Sequence, residues 1–397
     1  MRFSAWMLSL IACGGGAETP AADDIASSPC VAQAAGRVVS SPLVSELTPD
    51  EVKAQAILED FLNREGRDIG NPWALGHTLL ALGAEVELPD GRKAVDALFE
   101  TYGTWDDKGL GFPKRAGDVR IEPHADLFLK ALTESGISAD YPVTSQGRQG
   151  TLEDLYCGSR ARNFLTERAM SYDSNNDIAW SLQGLATWTP PGLVWTGGAG
   201  EEMSVDILAR RAVATYHAET AFVREARAQG RSFQKRRQGI FQYTCGGAHL
   251  LQGAAYALAR GHGDSADRAH LAVAGDNLRD RYVVEQEAVR AALEQYPQYE
   301  LKLRIQRLKF LGHFVETMHK LAAYGLLTDT PELREALAQA RGELATTVTT
   351  IASKGWFGEA LSSIRAADEQ AYLDLLGDSA HALRGLRLST GEGTVQL

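Results

Sequence analysis

Long apolar runs are missing from the interior of this chain of 397 residues. No internal stretch reaches the roughly 18 consecutive apolar residues that a membrane span needs. Runs of β-branched residues are also scarce. The hydrophobic content is nevertheless 44 %, which is ample for the core of one large globular unit.

An excess of positive charge is also missing, and so are the common short catalytic motifs. The net charge is −11, which argues against a nucleic-acid partner. No GxSxG, HExxH or EF-hand pattern occurs. The cluster Gly197–Gly200 lacks the lysine and the preceding strand of a phosphate-binding loop. The function therefore has to be argued from a less standard pattern.

The first residues form a targeting segment rather than part of the fold. Arg2 precedes the short apolar stretch Phe3–Ala12, and Leu10-Ile11-Ala12-Cys13 is followed by three glycines. This segment resembles the signal of bacterial lipoproteins, whose lipobox ends in a cysteine that receives the lipid. The resemblance implies a signal peptide over residues 1–12, lipidation of Cys13, and a flexible tether over residues 13–46. An ordinary secretory signal is the alternative.

The resemblance also implies a location. A lipid on Cys13 would attach the protein to a membrane of the bacterial cell envelope. Residue 14 is Gly rather than the Asp that retains many such proteins at the inner membrane, so the outer membrane is expected if the source has two.

Cysteine is rare, with four in the chain. None of their spacings is a CxxC or zinc-finger pattern. Outside the cytosol a disulfide is expected to persist, and Cys157–Cys245 is one candidate pair. The sequence leaves the connectivity open, because Cys30 is a further cysteine of the exported chain.

The feature that is present is a pattern that returns six times. We call its central positions the six anchors; they include five of the nine histidines. A small residue or proline precedes each anchor, apolar residues recur two and five positions later, and small residues recur four positions later. The anchors are His77, His124, Trp180, His249, His313 and His381.

This spacing predicts helices that are buried on more than one side. Positions i and i+4 share a helix face, so the anchor and the small residue after it form one stripe. The apolar positions form a second stripe. The intervening segments are more charged and carry helix start signals, for example Thr48-Pro49-Asp50-Glu51 and Thr330-Pro331-Glu332. Inner and outer helices therefore alternate six times.

Six alternating hairpins are similar to the (α/α)6 toroid class, which includes glycoside hydrolases, polysaccharide lyases and terpene cyclases. The resemblance covers roughly residues 47–388 and is architectural. It implies an all-α fold in which residues 47–397 form a single toroid domain. An open α-solenoid is the alternative.

In a closed toroid the anchors would face one another, and polar residues nearby would share their faces. The candidate catalytic residues are His77, His124, His249, His313, His381, Asp126 and Glu316. Neighbouring imidazoles with a carboxylate also suit a divalent transition metal such as zinc. The candidate metal ligands are His77, His313, His381 and Asp378. A purely structural role, in which each imidazole is hydrogen-bonded to a neighbouring helix, is the alternative.

Aromatic residues suggest where a carbohydrate or peptide ligand would lie. Trp105 and Trp195 belong to two long Gly-rich insertions, and Trp180 is the one anchor that is not histidine. We therefore expect Trp105, Trp180 and Trp195 to contact substrate.

Two functions follow from these expectations. One is a binding or scaffold lipoprotein that uses the toroid as a rigid surface. The other is a hydrolase or lyase directed at carbohydrate or cell wall, metal-dependent or not, with its site at the toroid mouth. A dry, fully hydrogen-bonded set of histidines favours the first.

Overall fold

The computed structural model describes residues 30–33, 37–165, 172–234, 239–241 and 247–397, with side chains in the third range from residue 178 onward. Helices account for most of these residues, which confirms the prediction of an all-α chain. Within the described part, no helix has the length and apolar character needed to cross a membrane. The lipobox and Cys245 lie outside the described residues.

The helices follow one another with short strands between some of them. They are α1 (Pro49–Glu65), α2 (Pro72–Leu82), α3 (Ala94–Tyr102), α4 (Leu127–Glu134), α5 (Leu152–Arg162), α6 (Tyr172–Trp188), α7 (Val205–Glu219), α8 (Ala221–Ala228), α9 (Ala248–Ala259), α10 (Ser265–Leu271), α11 (Ala274–Gln295), α12 (Glu300–Ala323), α13 (Pro331–Ser353), α14 (Leu361–Ala367) and α15 (Glu369–Thr390). Short 3-10 turns cover Gly239–Phe241 and Pro297–Tyr299.

The strands form two-stranded antiparallel pairs. They are β1 (Val38–Val39), β2 (Thr104–Asp106), β3 (Gly109–Gly111), β4 (Arg115–Ala116), β5 (Val119–Arg120), β6 (Pro142–Ser145), β7 (Arg148–Thr151), β8 (Val194–Thr196), β9 (Glu202–Ser204) and β10 (Val395–Gln396). The pairs are β1–β10, β2–β3, β4–β5, β6–β7 and β8–β9. The long insertions that contain Trp105 and Trp195 thus fold as hairpins.

Six helices carry the anchor register, and we call them the inner helices: α2, α4, α6, α9, α12 and α15. Every residue of α9 from Ala248 to Leu258 is buried, as expected for a helix covered on all sides. Each inner helix packs against the next one in sequence, and α15 also packs against α2. The other long helices bury a smaller share of their residues; in α13, for example, the buried residues include Leu337 and Leu344.

The predicted helix starts are confirmed at α1 and α13. Thr48 accepts a hydrogen bond from the backbone N–H of Glu51, and the Glu51 carboxylate accepts one from the backbone N–H of Thr48. At α13 the Thr330 side chain accepts a hydrogen bond from the backbone N–H of Leu333. These bonds satisfy donors that the helices themselves leave unpaired.

One anchor lies outside its helix. The register predicts a helix around His124, but α4 begins three residues later, at Leu127. Asp126 has a left-handed backbone conformation, with φ of 65°, and Glu122 accepts the N–H of Phe128 at 2.9 Å. His124 therefore belongs to the turn that leads into α4.

Small residues of the register set how closely the inner helices approach. A Cβ added to Gly312 would lie 2.8 Å from the backbone nitrogen of Ala382 on α15. A Cβ added to Gly253 would lie 2.8 Å from the carbonyl oxygen of Ala179 on α6. The obstacle is backbone in both cases, so the two helix pairs are in direct main-chain contact at these positions.

Part of the predicted tether is attached to the helical body. Gln33 donates its backbone N–H to the carbonyl of Trp188 at the end of α6. Ser41 contacts Nδ1 of the buried His319 at 2.9 Å, while Ser389 contacts Nε2 of the same ring at 2.8 Å. The segment thus crosses the C-terminal ends of α6, α12 and α15.

A disulfide joins this segment to α5. Cys157 is bonded to Cys30, so the predicted pair Cys157–Cys245 is wrong. The local reason is that Ala32 donates its N–H to the carboxylate of Glu153 at 2.7 Å, which places the segment beside α5. Helix periodicity carries no information about a segment that is itself not helical, so this pairing was not predictable from the register.

Candidate functional site

All six anchors line one cavity of about 280 Å³. It lies near the beginnings of α2 and α9, which place Trp73 and His249 in its wall. This is the end opposite to the N-terminal segment described above. Around the anchors the wall is completed by Trp73, Arg120, Pro123, Lys309, Gln370, Asp374, Gly377 and Asp378.

The anchor rings contact one another across neighbouring helices. His313 and His381 have their ring centroids 4.0 Å apart, and His249 lies 4.7 Å from His313 and 5.2 Å from His381. His77 is 5.5 Å from His381. Trp180 continues the series, with its ring 4.1 Å from that of His249. His124 stacks on the Trp180 ring with the centroids 5.2 Å apart.

Three of the histidines form a tighter cluster. His249, His313 and His381 each offer a ring nitrogen, and these three atoms lie within 4.8 Å of one another. Nδ1 of His249, Nδ1 of His313 and Nε2 of His381 are buried and have no hydrogen-bond partner among the described residues. Buried polar atoms are rarely left unpaired, so this cluster has room for a polar ligand.

Glu316 orients one of these rings. Its carboxylate accepts a hydrogen bond from Nδ1 of His381 at 2.7 Å and lies 4.0 Å from Nδ1 of His313. An ionised carboxylate only accepts, so the proton of His381 is on Nδ1 and Nε2 carries a free lone pair. Glu316 is fully buried.

His77 is fixed by a different partner. Its Nδ1 donates to the backbone carbonyl of Trp73 at 2.8 Å, one helical turn earlier. The Trp73 ring lies 4.2 Å from the His77 ring. A Cβ added to Gly377 would lie 2.4 Å from the Trp73 ring, so glycine is needed on α15 for this ring to lie there.

Four imidazoles of the cavity, those of His77, His249, His313 and His381, are held in the neutral form by burial. Burial lowers the pKa of His77 to about 3 and lowers the pKa of His249 and His313 well below the ordinary value. Burial also lowers the pKa of His381, while the Glu316 carboxylate opposes that shift. Neutral imidazole is the form that accepts a proton or binds a metal.

Asp378 has the opposite shift in the same cavity. Burial raises its pKa well above the ordinary value, although Lys309 lies 3.7 Å away and opposes this. Lys309 lies closer to Asp374, at 3.1 Å. Asp126, the other aspartate predicted for the site, accepts a hydrogen bond from the hydroxyl of Ser181.

A network of buried charges lies behind the cavity, and most of it was missed by the sequence analysis. Lys320 contacts Glu134 at 2.7 Å and Glu316 at 2.8 Å. Arg384 contacts the same two carboxylates at 3.0 and 3.2 Å. Lys130 pairs with Glu134 at 2.6 Å, and burial lowers its pKa to about 8.

A signal for this network exists in the register. Gln252, Glu316 and Arg384 each follow an anchor by three residues, which places them on the anchor's face one turn further along. Gln252 accepts a hydrogen bond from Lys320 at 3.0 Å, so all three residues belong to the same buried network. Polar residues three positions after the anchor, in helices that are otherwise apolar, could therefore have indicated a buried polar network.

Two of the three predicted substrate tryptophans lie elsewhere. Trp105 is in β2, with the Arg148 guanidinium 3.7 Å from its ring centroid. Trp195 is buried and donates its indole N–H to the carbonyl of Arg160 at 3.0 Å. Neither residue lines the cavity, whereas Trp180 does.

The site therefore combines neutral imidazoles, a buried carboxyl group and an aromatic wall, positioned by helices that are far apart in sequence. Comparisons of the chain with models of protein families, with curated proteins and with solved structures find no match.

Proposed function

We propose that this protein is an enzyme of the bacterial cell envelope, a hydrolase or lyase acting on polysaccharide or peptidoglycan-like material. The observation that carries the proposal is the convergence of all six anchors on one cavity with buried imidazole nitrogens left unpaired. A purely structural set of histidines would be expected to have its ring nitrogens hydrogen-bonded to neighbouring helices. Unpaired nitrogens beside an empty volume suit a ligand instead.

The proposed architecture is a closed (α/α)6 toroid with the cavity at its mouth. Its support is the packing of the last inner helix, α15, against the first, α2. Arg384 and Arg387 of α15 donate to the carbonyls of Leu80 and Ala81 at the end of α2. These bonds would join the two ends of the repeat and hold the anchors in one circle.

The proposed location is the envelope, through a lipid on Cys13. The lipobox pattern Leu10–Cys13 supports it, and so does the disulfide Cys30–Cys157, because disulfides persist in oxidising compartments. The N-terminal segment crosses the end of the inner helices opposite to the cavity. Attachment through that segment would leave the cavity mouth accessible.

The chemistry follows from two opposed pKa shifts. Asp378 retains its proton to higher pH than an ordinary carboxyl, whereas the His77 imidazole, with its pKa lowered by burial, remains neutral. Groups of opposite protonation state in one cavity can act as general acid and general base. Asp378 would give a proton to the leaving oxygen, and a neutral imidazole would take one from water or from a sugar carbon. Trp180 would supply an apolar face for a sugar ring.

The test is release of product from cell-wall material. Full-length protein in detergent is incubated with purified sacculi and with defined polysaccharides, and soluble fragments are identified by mass spectrometry. Replacement Asp378→Asn should lower the rate by about 10²–10⁴-fold. His262→Gln serves as the control, since His262 is buried but contacts Asp206 and Thr189 outside the cavity. If Asp378→Asn left the yield of fragments unchanged, that result would contradict a catalytic role of Asp378.

A binding or scaffold protein without turnover is the second candidate. The network of Lys130, Glu134, Lys320, Glu316 and Arg384 favours it, because such a network can rigidify a framework. Quenching of tryptophan fluorescence by cell-wall oligosaccharides, without any fragment released, would support this candidate and contradict the enzyme.

A further inference from the structure

We infer that His249, His313 and His381 bind one divalent transition-metal ion of the zinc class in the wall of the cavity. This inference rests on the proposed function, in that the ion would serve the reaction at the same site. Three protein imidazoles with a fourth position left open is a ligand set of catalytic zinc sites. The open position here would face the cavity of about 280 Å³.

The first support is geometric. The three donor atoms lie within 4.8 Å of one another, and they come from α9, α12 and α15, which pack in that order. A tetrahedral ion with Zn–N bonds of about 2.0–2.1 Å needs nitrogens about 3.4 Å apart. The three side chains would therefore close by about an ångström around the ion, without any change in which helices are neighbours.

The second support is the set of unpaired atoms. Within the part of the chain that the structure describes, Nδ1 of His249, Nδ1 of His313 and Nε2 of His381 have no hydrogen-bond partner. Leaving a buried polar atom without a partner is unfavourable, because its hydration is lost and not replaced. Each histidine of the cluster thus has a ring nitrogen that the described part of the protein leaves unpaired.

The third support is the partner behind His381. Metal-bound histidines usually donate the second ring N–H to a carboxylate or carbonyl, which fixes the tautomer and the ring orientation. Glu316 accepts such a bond from Nδ1 of His381 at 2.7 Å. Lys320 and Arg384 hold Glu316 in turn, at 2.8 and 3.2 Å. Glu316 is thus a positioning residue, and Nε2 of His381 faces the cluster.

The ligand set differs from the one expected from sequence alone. His249 belongs to the cluster, whereas His77 and Asp378 do not. Nδ1 of His77 is bonded to the carbonyl of Trp73, and Asp378 lies beside Lys309. Both residues line the cavity and would face the open position of the ion, where a substrate or water would bind.

The test uses full-length protein, stripped with a chelator and titrated with Zn²⁺ by calorimetry and with Co²⁺ by visible absorption. We expect one ion per chain and the intense Co²⁺ band of a four-coordinate site. The variants His249→Gln, His313→Gln and His381→Gln should each weaken binding at least about 100-fold, and Glu316→Gln about 10–100-fold. His77→Gln should leave the affinity near that of the wild type.

The matched control is the stacked pair His217 and His270, whose centroids are 4.0 Å apart outside the cavity. His270→Gln should leave the Co²⁺ spectrum unchanged; loss of the band in that variant would overturn the inference. So would the absence of a four-coordinate spectrum in the wild-type protein, a result that needs no folded variant. Product release by fully chelated protein would contradict a role of the ion in the reaction and support the proposed enzyme. Tight Zn²⁺ binding without any product release would support the metal site and contradict the proposed enzyme.

Discussion

The side chains behind the anchors show how this protein keeps charges in its interior. Lys320 is fully buried and contacts two carboxylates and the amide oxygen of Gln252, so its three donors have three acceptors. Each carboxylate also contacts Arg384. Such a network is stable while it is complete, because removing one member leaves buried charges without partners.

Lys320→Met should therefore be strongly destabilising. The substitution leaves Glu134 and Glu316 with less compensation in a buried site, at a cost of about 3–5 kcal/mol. Urea unfolding followed by circular dichroism measures the loss. The control is Lys302→Met on the same helix, whose ion pair with Asp368 is exposed and should contribute little to stability. Equal effects of the two substitutions would contradict the assigned role of the network.

At the scale of the helix, the small residues of the register act as spacers. Gly312 precedes His313 and lies against the backbone of Ala382, so α12 and α15 approach at that point without a side chain between them. The ring contact between His313 and His381 depends on the same approach. The distance between His313 and His381 is thus determined by Gly312, the residue next to His313.

Gly312→Ala should push α12 and α15 apart. The new methyl group meets backbone atoms that cannot rotate away, so we expect a loss of about 1–3 kcal/mol in the free energy of unfolding. Gly342→Ala on α13 is the control, because nothing lies within 4 Å of its added Cβ. That variant should gain about 0.5–1 kcal/mol, the ordinary advantage of alanine in a helix. A gain in both variants would show that the helix pair can relax.

The N-terminal segment is a second element whose position depends on a distant contact. Cys30 and Cys157 are separated by 127 positions, so their bond closes a long loop. Cys30→Ser should lower the free energy of unfolding by about 2–5 kcal/mol, and Cys30→Ser with Cys157→Ser should cost no more than the single change.

Non-reducing peptide mapping tests the pairing directly. The expected product is a linked pair of peptides that contain Cys30 and Cys157. A linked pair containing Cys157 and Cys245 would contradict this fold of the N-terminal segment.

At the scale of the whole molecule, the buried histidines govern the response to acid. Burial lowers the pKa of His77 and His319 to about 3, and it lowers the pKa of four others. Those four are His249, His262, His313 and His381. Between their ordinary pKa of 6.5 and the lowered values, the unfolded chain binds protons that the folded chain does not. Stability must therefore fall as the pH falls through this range.

The expected slope is up to about 1.4 kcal/mol per pH unit for each such histidine. Asp378 and Glu122, whose pKa is raised, act in the opposite direction but are fewer. Below its ordinary pKa of 4.5, Glu134 adds to the loss, because its neighbouring cations lower its folded pKa to about 2. Urea midpoints measured from pH 7.5 to pH 4 check the sign. A midpoint that stays constant or rises on acidification would show that the imidazoles take up protons while folded.

The sequence by itself determined the local features of this protein. The helix caps at Thr48 and Thr330 and the recurring helices that carry the anchor register follow from spacings of a few residues. Such spacings are sufficient because helix geometry repeats every 3.6 residues and is decided within a turn or two. The same local logic failed at His124, where the left-handed Asp126 delays the helix.

Only the tertiary structure decided which of these residues meet. The cluster of His249, His313 and His381, the bond from His381 to Glu316 and the disulfide Cys30–Cys157 join segments that are tens of residues apart or more. All anchors have the same pattern of residues around them. The pattern therefore cannot predict whether His77 or His249 lies closer to His381. That choice is made by helix packing distances and by the partner each ring finds, such as the Trp73 carbonyl for His77.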